Sequence, residues 1–230
     1  MTSTPPRAHA PRLAATVVLL RPSGTAFECY MLRRSGGSSF MPDSLVFPGG
    51  RLDDADGDPG DDATWARAAA RECVEEAAVS VDPDQLVWFD TWCTPSAEPK
   101  RFLARFFLAV LGEGDGGLAQ ADGSETTDGR WWTAAAALAA WERGEADIPP
   151  PTLCTLMRLD AVGPAGLRAE AHALEVPILP KAAVHATEIH VVMPHHAEYD
   201  ALPGEAAAPP DRAHTHPRRF TRRDGRWVPS

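Results

Sequence analysis

The chain is poor in the features that define several large protein classes. Its four cysteines, Cys29, Cys73, Cys93 and Cys154, stand far apart and form no CxxC pair. That spacing carries no zinc signature, and isolated thiols point to a reducing, cytoplasmic setting. Long apolar runs are missing too: "LAATVVLL" (13–20) stops at Arg21-Pro22, too short to span a bilayer. No small-residue cleavage site follows it, so it reads as a strand and not as a signal peptide. Positive charge is in deficit, with 22 Lys and Arg against 32 Asp and Glu and a formal charge of −10. A surface built to neutralise nucleic-acid phosphates is therefore not expected. A phosphorylated small molecule stays open, because bound divalent cations invert the local field. No internal repeat is present.

What is there suits a globular fold. Of the 230 residues, 44% are apolar and 23% charged, which is ordinary for a chain with one good core. The opening "MTSTPPRAHAPR" reads as a flexible tail (1–12). Residues 13–20 and 26–33 read as strands joined at Pro22-Ser23-Gly24, and "LVFP" as a short third strand. Residues 51–63, rich in Asp, Gly and Pro, read as loop. A helix follows from Thr64 to about Ala78, capped by Asp61 or Asp62. "QLVWFDTWC" (85–93) and "RFLARFFLAVL" (101–111) are longer strands. A loop then runs through "DGSETTDGRWW" to a helix at about 134–143. Beyond 145 come a Pro-led helix start in "DIPPPTLCTLMRLDAV", a further helix in "LRAEAHAL", a strand in "ATEIHVVM" and a hairpin turning at Asp224-Gly225. The expected division is a core domain over 13–145 and an extension over 146–230 packed on it.

On the helix "TWARAAARECVEEAA", Ala70, Cys73, Val74 and Ala77 share a stripe suited to packing on a sheet. Glu72, Glu75 and Glu76 crowd together at i, i+3, i+4, on the other side by this reading. Such like-charge neighbours repel. Two explanations compete: a solvated acidic face, with Arg71 and Glu75 as an i,i+4 pair, or a site for a hard divalent cation that keeps waters and takes substrate phosphates as ligands.

The context favours the cation. "FPGG" followed by "RLDDAD…RECVEEAAV" resembles the Nudix box of the Nudix hydrolases, G-x5-E-x7-R-E-U-x-E-E-x-G-U, where U is aliphatic. Gly50 matches the first glycine, Arg71-Glu72 the R-E pair, Glu75-Glu76 the E-E pair and Val79 the last aliphatic. Cys73 stands at an aliphatic position, Asp56 replaces the first Glu, and Ala78 replaces the closing Gly. The segment between Asp56 and Arg71 is longer than the pattern, and the loop before the helix is expected to carry the insertion.

The resemblance implies an α/β fold, an α/β/α sandwich around a mixed sheet, and metal-dependent hydrolysis of a diphosphate bond in a nucleoside-diphosphate derivative. It implies Mg²⁺ or Mn²⁺ as cofactor, held by Glu72, Glu75 and Glu76 with the Gly50 carbonyl as a further ligand. Gly49 and Arg71 then support the site, with Arg71 orienting the carboxylates. Glu72, Glu76 and the loop residue Glu125 are the catalytic candidates, with Glu72 and Glu125 competing for the role of base. "LRRS" ahead of "FPGG" is similar to the coenzyme A and acyl-CoA diphosphatase branch, although the His-x-Gly-Gln frequent there is absent. ADP-ribose, nucleotide sugars and NAD(H) are the alternative substrates. A non-catalytic Nudix-like nucleotide-sensing domain is the rival of another class. Arg33, Arg34, Arg101 and Arg105 are candidate phosphate contacts, since guanidinium forks suit phosphate. No membrane or nucleic-acid partner is expected, and a homodimer is compatible with the sequence.

Two other groups stand out. His185, His190, His195 and His196, with Glu188 and Glu198, fit no zinc spacing and read as structural. The basic tail, Arg212, Arg218, Arg219, Arg222, Arg223 and Arg226, reads as a solvated hairpin, with a second possibility that it holds an anionic part of the substrate.

Overall fold

The computed structural model describes residues 10–37, 41–112, 126–169, 176–210 and 215–230. Most of the N-terminal tail, Glu125, Arg212 and the last part of "LRAEAHAL" lie outside these residues.

The centre of the fold is β1 (Arg12–Ser23), whose apolar run is buried on both faces. It pairs in parallel with β6 (Phe102–Val110) along nine residues. Its other edge is shared: Leu20–Ser23 pair with β2 (Ala26–Arg34), and Ala14–Thr16 pair with β4 (Gly49–Arg51). β3 (Leu45–Val46) and β7 (Thr126–Thr133) both pair with β2, and β5 (Val87–Cys93) pairs with β6. One parallel pair among antiparallel ones makes the sheet mixed, as expected.

Alternation along the strands sorts the core into two halves. Ala15, Val17 and Leu19 face the helix α1 (Asp62–Ala77), which covers them with Trp65, Ala68, Ala69, Cys73 and Ala77. Val18, Leu20, Met31 and Phe106 face the opposite way. There α2 (Ala134–Glu142) and α3 (Pro150–Ala169) complete an α/β/α sandwich. α3 kinks at Gly163, ahead of Pro164. "TTDGRWW", expected in a loop, is the strand β7: its backbone completes the edge of β2 and the turn chemistry of "DG" is overridden.

The extension adds a second, antiparallel sheet in the order β11-β10-β9-β8, made of β8 (Lys181–His185), β9 (Glu188–Val192), β10 (Arg219–Arg223) and β11 (Arg226–Pro229). The hairpin turns at Asp224-Gly225, both at positive φ, as its Asp-Gly pair requires. Ile178, Met193 and Phe220 enter the same core as α2 and α3. A buried ionic cluster ties the parts together: Arg158 of α3 and Trp92 of β5 each donate to Asp90 at 3.1 Å, and His216 lies 3.5 Å away. Among the described residues no helix is long and apolar enough to cross a membrane.

Candidate active site

α1 keeps Cys73 and Ala77 of the expected stripe against the sheet but is rotated away from Val74. Val74 is 49% exposed, whereas Trp65, Ala69, Glu72, Cys73 and Ala77 are buried and Glu76 is half-buried. Trp65, Ala69, Glu72 and Glu76 recur at i, i+4, i+7, i+11, so two of the three acids lie on the sheet-facing side. Trp65, 3% exposed, is the largest side chain on the buried face. Burial pushes the Cys73 thiol up to about 12 and leaves it inert. The helix begins at Asp62, with Asp61 accepting from the Ala63 amide. Residues 62–70 of the segment between Asp56 and Arg71 are therefore helical, and residues 57–61 lead into them.

Two glycines make room for the acids. The Gly49 N–H donates to Glu76 Oε2 at 2.8 Å. A Cβ on Gly49 would lie 2.5 Å from the Ala15 carbonyl oxygen and 2.7 Å from Thr16 Cα, and a Cβ on Gly50 would lie 2.5 Å from Glu72 Oε2. Only glycine lets β4 pass this close to β1 at Gly49 and to the Glu72 carboxylate at Gly50. Burial raises the Glu72 carboxyl above its ordinary range, with Arg71 opposing the shift.

Arg71 is the hub. It donates to both oxygens of Asp56 at 3.1 and 2.9 Å, to Glu72 Oε1 at 2.8 Å, to Glu75 Oε2 at 3.0 Å and to the Arg51 carbonyl at 2.8 Å. Asp56 is buried and also accepts from the Asp53 amide at 2.8 Å. Burial raises its carboxyl, but Arg71, the Asp53 amide and Arg67 outweigh that and hold it below the ordinary range. Asp56 is thus the anchor of Arg71, and not part of a solvated acidic loop. Among the described residues no three His, Cys, Asp or Glu side chains stand as a ready-made metal cluster. The donor set nevertheless fits a hard cation: three carboxylates on one turn, with the Glu72 carboxylate over a glycine whose missing side chain leaves a cradle.

These groups line a cleft of roughly 1190 Å³, together with the face of β1 and β6 and residues of the extension. Of the four candidate phosphate contacts only Arg34 lines it. Arg33 donates to the carbonyls of Asp43 and Glu145. Arg101 is buried, paired with Glu205 at 2.6 Å and donating to the Thr94 carbonyl. Arg105 pairs with Asp62 at 2.6 Å and lies over the rings of Trp65 and Trp88 at 4.3 and 3.8 Å. The structure brings none of these three to the cleft; each is engaged by carbonyl, carboxylate or aromatic groups elsewhere. His190 Nδ1 meets Thr221 Oγ1 at 2.9 Å and His195 Nε2 meets the His216 carbonyl at 3.2 Å; both are ties within the extension.

The sequence reading missed the part of the cleft built by the extension. Asp147 holds Arg222 by two bonds of 2.7 Å, and Trp227 lines the same wall. The basic tail was the available signal. Its arginines are largely spoken for: Arg223 pairs with Glu188 and Arg226 caps the carbonyls of Trp141 and Glu142.

Comparison with known proteins agrees with this geometry. The NUDIX domain model matches residues 10–150. "Putative nudix hydrolase 7" of Caenorhabditis elegans is 27% identical over 186 residues, covering 66% of this chain and 61% of that protein; the match thus spans about three-fifths of the relative's length. A NUDIX hydrolase from Alicyclobacillus acidocaldarius superposes with a TM-score of 0.58 at 25% identity, over 67% of this chain and 93% of that one. The NUDIX domain of Shewanella oneidensis NrtR, solved with ADP ribose, superposes at 0.52 and 16% identity, over 70% and 93%; at that identity the likeness is one of fold.

Proposed function

The chain belongs to the NUDIX family, and from that premise we propose that it hydrolyses a diphosphate bond in a nucleoside-diphosphate-linked substrate with the help of Mg²⁺ or Mn²⁺. Coenzyme A or an acyl-CoA is the substrate this reading favours. The observation that carries it is the placing of Glu72 and Glu76 on the sheet side of α1, against Gly49-Gly50 and inside a large cleft. A binding module has no need to draw two like charges towards the sheet, one buried and one half-buried, since burying a charge is costly.

Glu72, Glu75 and Glu76 would hold the metal, with the Gly50 carbonyl as a further donor. When bound, the cation screens the diphosphate charge and makes water a better nucleophile. The chain's own part is positioning. Asp56 fixes Arg71, and Arg71 fixes Glu72 and Glu75 at 2.8 and 3.0 Å. The Gly49 amide orients Glu76. Glu72 accepts the proton of the attacking water, with the loop residue Glu125 as its competitor for that role. Arg34, on the cleft wall, meets a phosphate oxygen.

The test is a hydrolysis panel of coenzyme A, acyl-CoA, ADP-ribose, NADH and nucleoside triphosphates with Mg²⁺ or Mn²⁺. The reading expects turnover of a diphosphate conjugate, fastest with coenzyme A or an acyl-CoA. Absence of turnover across the panel would overturn it.

A further inference from the structure

The wall that the extension contributes to the cleft differs in chemistry from the acidic helix. Pro149, Pro150, Pro151 and Pro180 line it, and proline has no N–H to donate. Ile189 and Val191 of β9 also line it, with the β9 backbone engaged in its ladders to β8 and β10. The charged side chains that the described part of the extension brings to the cleft, Asp147 and Arg222, satisfy each other through two 2.7 Å bonds. Asp147 also accepts the Leu45 amide at 2.8 Å. The same residue therefore fastens the hairpin to the strand that leads into Gly49-Gly50. Ile189 stays 47% exposed, a large apolar side chain held open in the cleft.

We propose that this wall is a subsite for an uncharged aliphatic arm of the substrate, carried on the diphosphate away from the nucleoside. The proposal rests on the diphosphate-hydrolase reading above. A nucleobase and ribose bring several hydrogen-bonding groups, and beside Thr152, Trp227 and the mutually paired Asp147 and Arg222 this wall offers them few partners, which is penalised when they are desolvated. The aliphatic stretches of such an arm, an acyl chain above all, bring none and gain by covering Ile189 and Val191. The diphosphate charge stays with the helical acids and their cation. At roughly 1190 Å³ the cleft exceeds the usual few hundred to about 1,000 Å³ of a small-ligand pocket, which leaves room for both arms.

Two esters of ADP isolate the effect, one carrying a methyl and the other an octyl group on the terminal phosphate. In the wild type the KM of the octyl ester falls about tenfold or more below that of the methyl ester, the scale set by apolar pockets that read added methylenes. In Ile189→Glu that ratio drops towards one, and Ile189→Leu keeps it. Thermal melts confirm that the variants fold, and Ile189→Ser serves if the acid does not. Equal KM values in the wild type, or an undiminished ratio in the polar variants, would overturn the subsite. If neither ester is hydrolysed, calorimetric dissociation constants for the same two esters with Mg²⁺ give the ratio under the same expectations. That result counts against the hydrolase reading while still deciding the subsite.

Discussion

Substituting Gly50 by alanine tests whether β4 and the helical acids are fitted to each other. The new Cβ lies 2.5 Å from Glu72 Oε2, whereas an ordinary carbon–oxygen contact is about 3.3 Å or more. The Glu72 carboxylate must therefore retreat by about 1 Å, and its 2.8 Å bond from Arg71 is disturbed. Displacing a catalytic group by that much costs about a hundredfold in rate. The stability cost is modest, about 1 kcal/mol for a weakened hydrogen bond, because a side chain yields more easily than backbone. Gly49→Ala is the contrasting case. Its Cβ meets the Ala15 carbonyl and Thr16 Cα, and overpacking against fixed backbone costs about 1–3 kcal/mol. The assay is kcat/KM with Mg²⁺ on the best substrate of the panel, beside a thermal melt of each variant. Gly50→Ala should lose activity by about two orders of magnitude with Tm down by only about 2–4 °C. More than half of the wild-type activity in that variant would refute the reasoning.

Three other expectations can be checked together. Ala78 holds a left-handed φ of 55° at the end of α1, where glycine avoids a penalty of about 1–2 kcal/mol; Ala78→Gly should raise the denaturation midpoint. Arg105 joins Asp62 to the rings of Trp65 and Trp88 away from the cleft. Arg105→Ala should therefore lower stability by about 1–2 kcal/mol in chemical denaturation while leaving KM unchanged, and a raised KM would restore its role as a phosphate contact. All four cysteines are buried and unpaired, and burial pushes Cys29 and Cys73 up to about 12; a thiol reagent at pH 8 should label the folded protein negligibly and all four positions after unfolding.

The sheet, the acidic helix and the hairpin were legible in the sequence because each carries a local signal. β1 and β6 are long apolar runs, α1 opens on an Asp cap, and Asp224-Gly225 marks the turn. The helix face was less legible: periodicity counted Val74 as core, but it is exposed, while Trp65 is buried and Glu72 and Glu76 lie towards the sheet. Asp56 stood out by its place at the first Glu of the box, but nothing in its neighbourhood reveals its partner fifteen residues on, Arg71. The arginines misled for the same reason. Whether Arg101 meets a phosphate or Glu205 depends on a contact 104 residues away along the chain. The extension's wall was invisible as well, since Pro149–Pro151, Ile189 and Trp227 meet only in three dimensions.

The central claim is that the helical carboxylates serve hydrolysis through a bound cation. The most direct measurement is the Mg²⁺ dependence of coenzyme A hydrolysis for the wild type and Glu76→Gln, an isosteric change that keeps an acceptor for the Gly49 amide. The account predicts no turnover in chelator, turnover restored by Mg²⁺ or Mn²⁺, and a loss of about a hundredfold or more in the variant. Turnover that needs no metal, or a variant as active as the wild type, would contradict it.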